Sequence, residues 1–461
     1  MNANPEMAKR MRTFWALWAG MLVSGVGTGL GSFALGVWIY EKTGSITLFA
    51  TAGLIGMTTG LVLTPLIGSV TDRYDRRRIM LTSNLVSAVT AGIMAWLMGT
   101  GLLKVWHIYP LVFVLGLSGM FQGPAMGATV SLLVPRQQLV RMAGLFQTVG
   151  SVIQIIMPLT AGVLVGAIGY DKVIAIDVTT FLVAAAILFT IRFPRVPVSA
   201  GTAAHRSVFH DTLFGWNYIR ERKGLLALLF LFALTSVSIG IVTVLLTPLI
   251  LSFATPTQLG SVSSAGAAGT MLGAMILAAW GGPKVKIWGI FGALIIQGSI
   301  LLLGGFQPSI PLIAISSFIF MATGPFVAGA SQAIWQGKVA LDIQGRVFAI
   351  RQMVTMTAAP IAYAVAGPLA DGVFEPMLAP GGLLADSVGQ VIGVGEGRGV
   401  GFLFMTLGVF SMLTTCLFFL NPRLRHVERE LPDARRDDGT DGHPVDQPGA
   451  APDGTPGFQG A

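Results

Sequence analysis

Charged side chains are nearly missing from ten long stretches of this chain, and that pattern constrains its fold more than any other feature. Residues 14–40, 43–71, 79–103, 105–135, 142–170, 224–283, 287–337, 352–370 and 400–420 hold no Asp, Glu, Lys or Arg, and 173–191 holds only Asp177. A helix of about 20 apolar residues crosses the ~30 Å hydrocarbon core of a bilayer. Two stretches are long enough for a pair of spans. They break near Thr255-Pro256-Thr257-Gln258 and near Gly304-Gly305-Phe306-Gln307-Pro308. The expected fold is an all-α membrane protein of twelve transmembrane helices, over 14–40, 47–70, 79–101, 107–132, 142–168, 173–191, 225–252, 258–281, 287–304, 309–336, 347–371 and 399–420.

Composition excludes the soluble alternative. The chain is 53% hydrophobic and only 11% charged over 461 residues, a balance that would aggregate in water. The net charge of +8 is topological. With the N-terminus inside, only Lys42, Lys104, Lys172 and Arg398 among the 29 lysines and arginines fall in external segments. That asymmetry follows the positive-inside rule. It places both termini in the cytoplasm of a multi-pass protein of the cell inner membrane and implies no nucleic-acid partner. Cys416 is the lone cysteine, so no intramolecular disulfide forms. Lys9, Arg10 and Arg12 precede an apolar run too long for a signal peptide, so the run reads as an uncleaved first helix.

The expected organisation is a cytoplasmic tail (1–13), a six-helix bundle (14–191), a cytoplasmic linker (192–224), a second six-helix bundle (225–420) and a disordered cytoplasmic tail (421–461). In the linker, Phe209, Leu213, Trp216 and Ile219 alternate with Asp211, Asn217, Arg220 and Arg222, as in an amphipathic helix lying at the membrane interface. An internal repeat supports two equivalent halves. Gly127-Ala128-Thr129 matches Gly329-Ala330-Ser331, and Pro158 matches Pro360, at the same offset. Both prolines are expected to kink their helices. The segment 372–397, with its glycine string ending Gly397-Arg398-Gly399, is expected to be a flexible external turn rather than a phosphate loop.

The sharpest motif lies between the second and third spans: Gly68-Ser69-Val70-Thr71-Asp72-Arg73-Tyr74-Asp75-Arg76-Arg77-Arg78. Gly68 permits close helix approach. Asp72 suits the positive end of a helix. Arg73, Arg76, Arg77 and Arg78 resist entry into hydrocarbon and pin the inner boundary. With this motif the chain resembles the major facilitator superfamily. Residues 33–45, Ser331–Gln336 and Gly345–Arg351 further resemble the branch of macrolide-efflux proteins and siderophore exporters. The resemblance implies a gate in which Asp72 meets the helix opening at Gly345-Arg346 when the inner side closes, with Arg136 and Arg141 as further partners.

It also implies a central cavity lined by spans one, four, seven and ten. Candidate lining residues are Ser24, Thr28 and Ser32; Gln122; Thr235, Ser236 and Ser238; and Gln332 with Trp335. Met21, Met120 and Met126 add pliable apolar surface. The run Gly25, Gly27, Gly29 and Gly31 reads as close helix packing. Proton coupling would need a carboxylate in the membrane, where burial favours the neutral form. The candidates are Asp177, Glu41 and Asp371, with Asp177 a turn inside its span.

The sequence shows no nucleophile–base set, metal-ligand cluster or Walker loop, so no enzyme activity, cofactor or metal is expected. The expected function is export of amphipathic small molecules by alternating access, as proton-coupled antiport by a monomer. Two alternatives are proton-coupled uptake of a nutrient and a sensor or scaffold that transports nothing.

Overall fold

In a computed structural model the chain is described over residues 5–135, 138–191, 208–340 and 343–430. Fifteen helices carry the architecture: α1 (Pro5–Thr43), α2 (Ile46–Arg73), α3 (Arg76–Gly99), α4 (Val105–Leu133), α5 (Leu139–Ile168), α6 (Tyr170–Thr190), α7 (Val208–Glu221), α8 (Lys223–Leu251), α9 (Pro256–Trp280), α10 (Lys286–Phe306), α11 (Ile310–Lys338), α12 (Gln344–Leu369), the short α13 (Glu375–Leu378) and α14 (Val388–Ile392), and α15 (Arg398–Phe419). Eleven helical stretches among the described residues are long and apolar enough to cross a membrane. The twelfth expected span falls on α2, whose described apolar stretch is the shorter Ile46–Thr59.

Local chemistry sets the helix ends. Ser45 caps α2 by accepting the Leu48 N–H, and Asp75 caps α3 by accepting the Arg78 N–H at 3.0 Å. Thr255 and Gln258 form a reciprocal capping box that starts α9, with Pro256 at its first position. Gly169, at φ 89°, makes the tight reversal between α5 and α6, a conformation a side chain would strain.

Small residues let the helices meet at backbone distance, as lipid-embedded packing requires. A Cβ on Gly298 would lie 2.8 Å from the Gly408 carbonyl, and one on Gly408 would lie 2.6 Å from the Gly298 carbonyl. Gly305 and Gly401 repeat that reciprocal contact one heptad away, so α10 and α15 cross through two glycine pairs. In α9, Gly269 and Gly273 rest on the Phe318 and Ala322 carbonyls of α11.

The helix ends define two faces, one bearing the chain termini and one opposite. A large core at the opposite face joins Val37, Ile46 and Ala50 to Leu245, Leu249, Ala366 and Phe404. Separate cores fill the termini-bearing ends of α1 and α3–α6 and of α7, α8 and α10–α12. The first and later helices therefore converge at the opposite face.

Three expectations about connecting segments are corrected or extended. Segment 372–397 is folded rather than a flexible turn. A π-turn (Ala370–Phe374) leads into α13, Leu378 and Ile392 are buried, Gly395 N–H donates to the Leu378 carbonyl, and Arg398 Nη1 donates to the Ile392 carbonyl at 3.1 Å. Several glycines at positive φ permit the compact path, and buried apolar anchors hold it. The tail is ordered beyond residue 421: Leu424 and Val427 are fully buried, and Glu428 joins the starts and ends of two helices. Its carboxylate accepts the Ile287 N–H at 3.0 Å and pairs with Lys286 at 3.5 Å, and its carbonyl accepts Lys338 Nζ at 2.7 Å. Residues 431–461 lie outside the described residues. In the linker, α7 is helical and docks on α12 through Gly215 and the buried Ile219, leaving Leu213 exposed.

Candidate functional site

A chamber of about 890 Å³ opens within the first six helices. That volume falls in the range of small-molecule sites, about 300–1,000 Å³. α1 contributes Ser24, Thr28 and Ser32; α2 Phe49 and Met57; α3 Ser87 and Met94; α4 Met120 and Gln122; and α6 Asp177 and Phe181. Tyr363 of α12 is the lining residue from the second half. The wall is mainly apolar, with methionines and a few hydroxyls set into it. Methionine thioethers repack around ligands of different shape.

The room comes from glycine. Gly25, Gly36, Gly53, Gly56, Gly116 and Gly119 all line the chamber. Gly27 and Gly31 serve a different purpose, because they seat α1 directly on Asp177. A Cβ on Gly27 would lie 2.7 Å from Asp177 Oδ1, and one on Gly31 would lie 2.7 Å from Oδ2. Gly29 packs on Met157 of α5.

Asp177 is 6% exposed and still reaches the chamber wall. Its backbone carbonyl accepts the Thr180 hydroxyl at 2.7 Å, and among the described residues its carboxylate has no cationic partner. The other two coupling candidates sit at helix ends on the opposite face. Glu41 accepts the Tyr170 hydroxyl. Asp371 accepts Ser45 Oγ at 2.9 Å and the N–H groups of Ile46 and Thr47 at 3.2 and 2.9 Å. It thus caps α2 from across the two halves.

Ser24, Thr28, Ser32 and Gln122 line the chamber, and the other cavity candidates do not. Thr235 and Ser238 are buried and return their hydroxyls to the Leu231 and Leu234 carbonyls of their own helix; Ser236 is half-buried beside them. Trp335 is 1% exposed in the core of the second half. Gln332 Oε1 accepts Arg351 Nη1 at 2.8 Å, and the Arg351 guanidinium lies 5.6 Å from the Trp335 ring centre. Short hydroxyl side chains on a helix readily bond their own backbone, so spacing alone did not separate packing from lining. Arg351, Tyr363, Ser87 and Met57 were not anticipated as functional. An arginine just inside the expected span 347–371 was the available signal for Arg351.

Two contacts close the opposite face. Gly367 of α12 lies on the Thr47 backbone of α2, and the Tyr363 ring lies on Gly53. In the matching position, Gly162 of α5 meets the Pro256 carbonyl of α9, and Gly260 meets the Pro158 carbonyl. Proline at 158 removes one helix donor. Next to it, the Leu159 N–H donates to Ser264 Oγ at 3.2 Å, and Thr257 Oγ1 donates to the Gly162 carbonyl at 3.1 Å. Pro360 lies inside α12, between Arg351 and Tyr363.

At the termini-bearing face, Arg77 Nε donates to the Leu188 carbonyl at 2.9 Å and Nη2 to the Phe189 carbonyl, capping the end of α6. Arg76 is half-buried, Arg78 is exposed, and Gly345 is exposed at the start of α12. Arg346 places its guanidinium 5.2 Å from the Phe214 ring centre of α7. The side chains of Gly68, Asp72 and Arg73, and residue Arg136, lie outside the described residues; Arg141 is exposed. Among the described residues no group of His, Cys, Asp or Glu is placed to hold a metal ion.

A sequence model of the Major Facilitator Superfamily matches residues 17–364. The chain is 27% identical to macrolide efflux protein A of Streptococcus pyogenes over 364 residues, covering 78% of this chain and 90% of that protein. It is 23% identical to the multidrug efflux pump Tap of Mycolicibacterium fortuitum over 364 residues, covering 76% and 87%. Among solved structures, a bacterial homolog of the human lysosomal transporter Spinster, inward-facing and unoccupied, superposes with a TM-score of 0.66 at 13% identity, covering 90% and 97%. The nucleoside transporter NupG superposes with a TM-score of 0.64 at 12% identity, covering 88% and 98%.

Proposed function

The chain belongs to the Major Facilitator Superfamily, a family of membrane transporters rather than enzymes, and from that premise we propose that it exports amphipathic small molecules by proton-coupled antiport. The observation that carries this reading is a mainly apolar chamber, with methionines and a few hydroxyls in its wall and Asp177 buried there. Its surface suits a cargo with apolar bulk and a few hydrogen-bonding groups. The efflux-named relatives support the outward direction.

In this reading the halves are residues 14–191 and 225–420, joined by the linker 192–224, and a single chain is the transporting unit. The termini-bearing face is cytoplasmic, in keeping with its excess of lysine and arginine. The closed opposite face then makes the described state inward-facing. Cargo enters the chamber from the cytoplasm while Asp177 is protonated. Closure of the inner side brings Asp72 to the start of α12 at Gly345-Arg346 and opens the α2–α12 and α5–α9 contacts outward. Asp177 releases its proton to the cytoplasm as cargo binds, before the inner side closes, and takes up another from outside as cargo leaves.

The test is accumulation of a panel of macrolides and other amphipathic compounds in cells with and without the protein, with and without an uncoupler. The expected result is a lower cellular level that returns on uncoupling. Unchanged accumulation across the panel rejects export, and a raised level identifies uptake. Asp177→Asn abolishes the uncoupler-sensitive part. Asp72→Asn slows transport while insertion is retained.

A further inference from the structure

A second, much smaller cavity of about 10 Å³ adjoins the chamber on its termini-bearing side. The two share Met21, Ser24 and Gln122 as lining residues. The small cavity is closed by Met80 and Asn84 of α3 and by Leu188 of α6. Asn84 is 3% exposed. Its Nδ2 donates to the Met80 carbonyl at 2.8 Å, and its Oδ1 is buried with no partner. A buried acceptor left unmade is costly. A cavity of roughly 10–15 Å³ with two to four polar neighbours is what one water molecule needs, and Ser24, Asn84 and Gln122 supply that number.

We propose that this cavity holds a resident water that relays protons between Asp177 and the termini-bearing face, with Asn84 as its positioning residue. The proposal rests on the coupling assigned to Asp177 above. Helix geometry spaces polar groups along this side of the chamber. Asn84 and Ser87 lie about one turn apart on α3, and Ser24 and Thr28 about one turn apart on α1. Ser24, Thr28, Ser87 and Asp177 all line the chamber. Asn84 Oδ1 accepts one O–H of the water and holds its lone pairs toward the incoming proton. One proton enters the water as another leaves it, and no bond to Asn84 is made or broken. The residues facing Asp177 are Gly27 and Gly31 of α1 and its own Thr180. Ser87 of α3 shares the chamber wall, Tyr363 is the other ionisable lining group, and α5 carries no charge over 142–168.

Between Asp177 and Ser24 the route follows the chamber wall, and only beyond Ser24 does it leave the chamber, at the small cavity between α1, α3 and α6. The experiment is time-resolved infrared spectroscopy of the full chain in liposomes after a pH jump. It follows the carboxylic C=O band that Asp177→Asn removes. Asn84→Leu fills the cavity with apolar atoms. It is expected to slow the rise of that band by about tenfold or more, the rate equivalent of one lost buried hydrogen bond, with the end point unchanged. Asn84→Ser leaves space and a polar group, and retains a rate near that of the unsubstituted chain. A wild-type rate in Asn84→Leu overturns the relay. An equal slowing in Asn84→Ser and Asn84→Leu also overturns it, because the loss would then follow the amide and not the water. Absence of any band lost in Asp177→Asn rejects the coupling reading itself.

Discussion

Asp177 on α6 and Gly31 on α1 are in contact to the point where a single carbon on the glycine would lie 2.7 Å from the carboxylate oxygen. The relation explains why an acidic residue survives in a membrane helix and stays hidden from lipid. It also makes the glycine testable. Gly31→Ala is expected to push the carboxylate out of its seat and to cost about 1–3 kcal/mol of stability through overpacking. Thermal unfolding in detergent measures the first effect. Uncoupler-sensitive efflux should fall with it, whereas Gly25→Ala, which meets open space, should leave the melting temperature in place.

Asp371 is expected to hold the opposite face shut. Its carboxylate satisfies two N–H groups at the start of α2, a favourable place for a negative charge. Asp371→Ala removes a cap worth about 0.5–2 kcal/mol. Spin labels at Leu102 and Gln307, in a background with Cys416→Ser, report the separation of the two halves at this face. The long-distance population should rise about five-fold for each 1 kcal/mol lost. An unchanged distance distribution would show that the α5–α9 contact closes this face alone.

Arg351 ties α12 to α11 through Gln332 and Ser331 while lying over Trp335. Arg351→Lys keeps the charge and loses the planar fork, so it should not restore the contact. Both Arg351→Lys and Arg351→Ala are expected to lower the melting temperature, and tryptophan emission should shift because Trp335 loses its cover. Identical emission spectra would place the guanidinium away from the ring in the membrane.

Gly408→Val is expected to be among the most damaging single changes in the second half. The new side chain would enter the Gly298 backbone at 2.6 Å, where no flexible neighbour can yield. Destabilisation of about 1–3 kcal/mol or more follows. Gly292→Val, on the same helix pair but facing open space, serves as the control. Comparable melting temperatures for the two variants would contradict the glycine-pair crossing.

Much of this molecule was legible without coordinates. Charge-free runs of about 20 residues dictate spanning helices because an ion in hydrocarbon is expensive and a helix satisfies its own backbone. The arginines at the start of α3 were legible for the same reason, since ions are held at the membrane boundary. Other features needed the tertiary structure. The folded segment 372–397 depends on Leu378 and Ile392 finding buried seats. Serines and threonines in a membrane helix look alike in sequence, whether they line a chamber, as Ser24 does, or bond their own helix, as Thr235 does. Asp177 already stood apart from Glu41 and Asp371 by lying a turn inside its span, but its burial against the α1 glycines needed the tertiary structure. Periodicity and charge fix which segments enter the bilayer. Which side chains meet is set by helix rotation and crossing, and that depends on contacts between residues far apart in the chain.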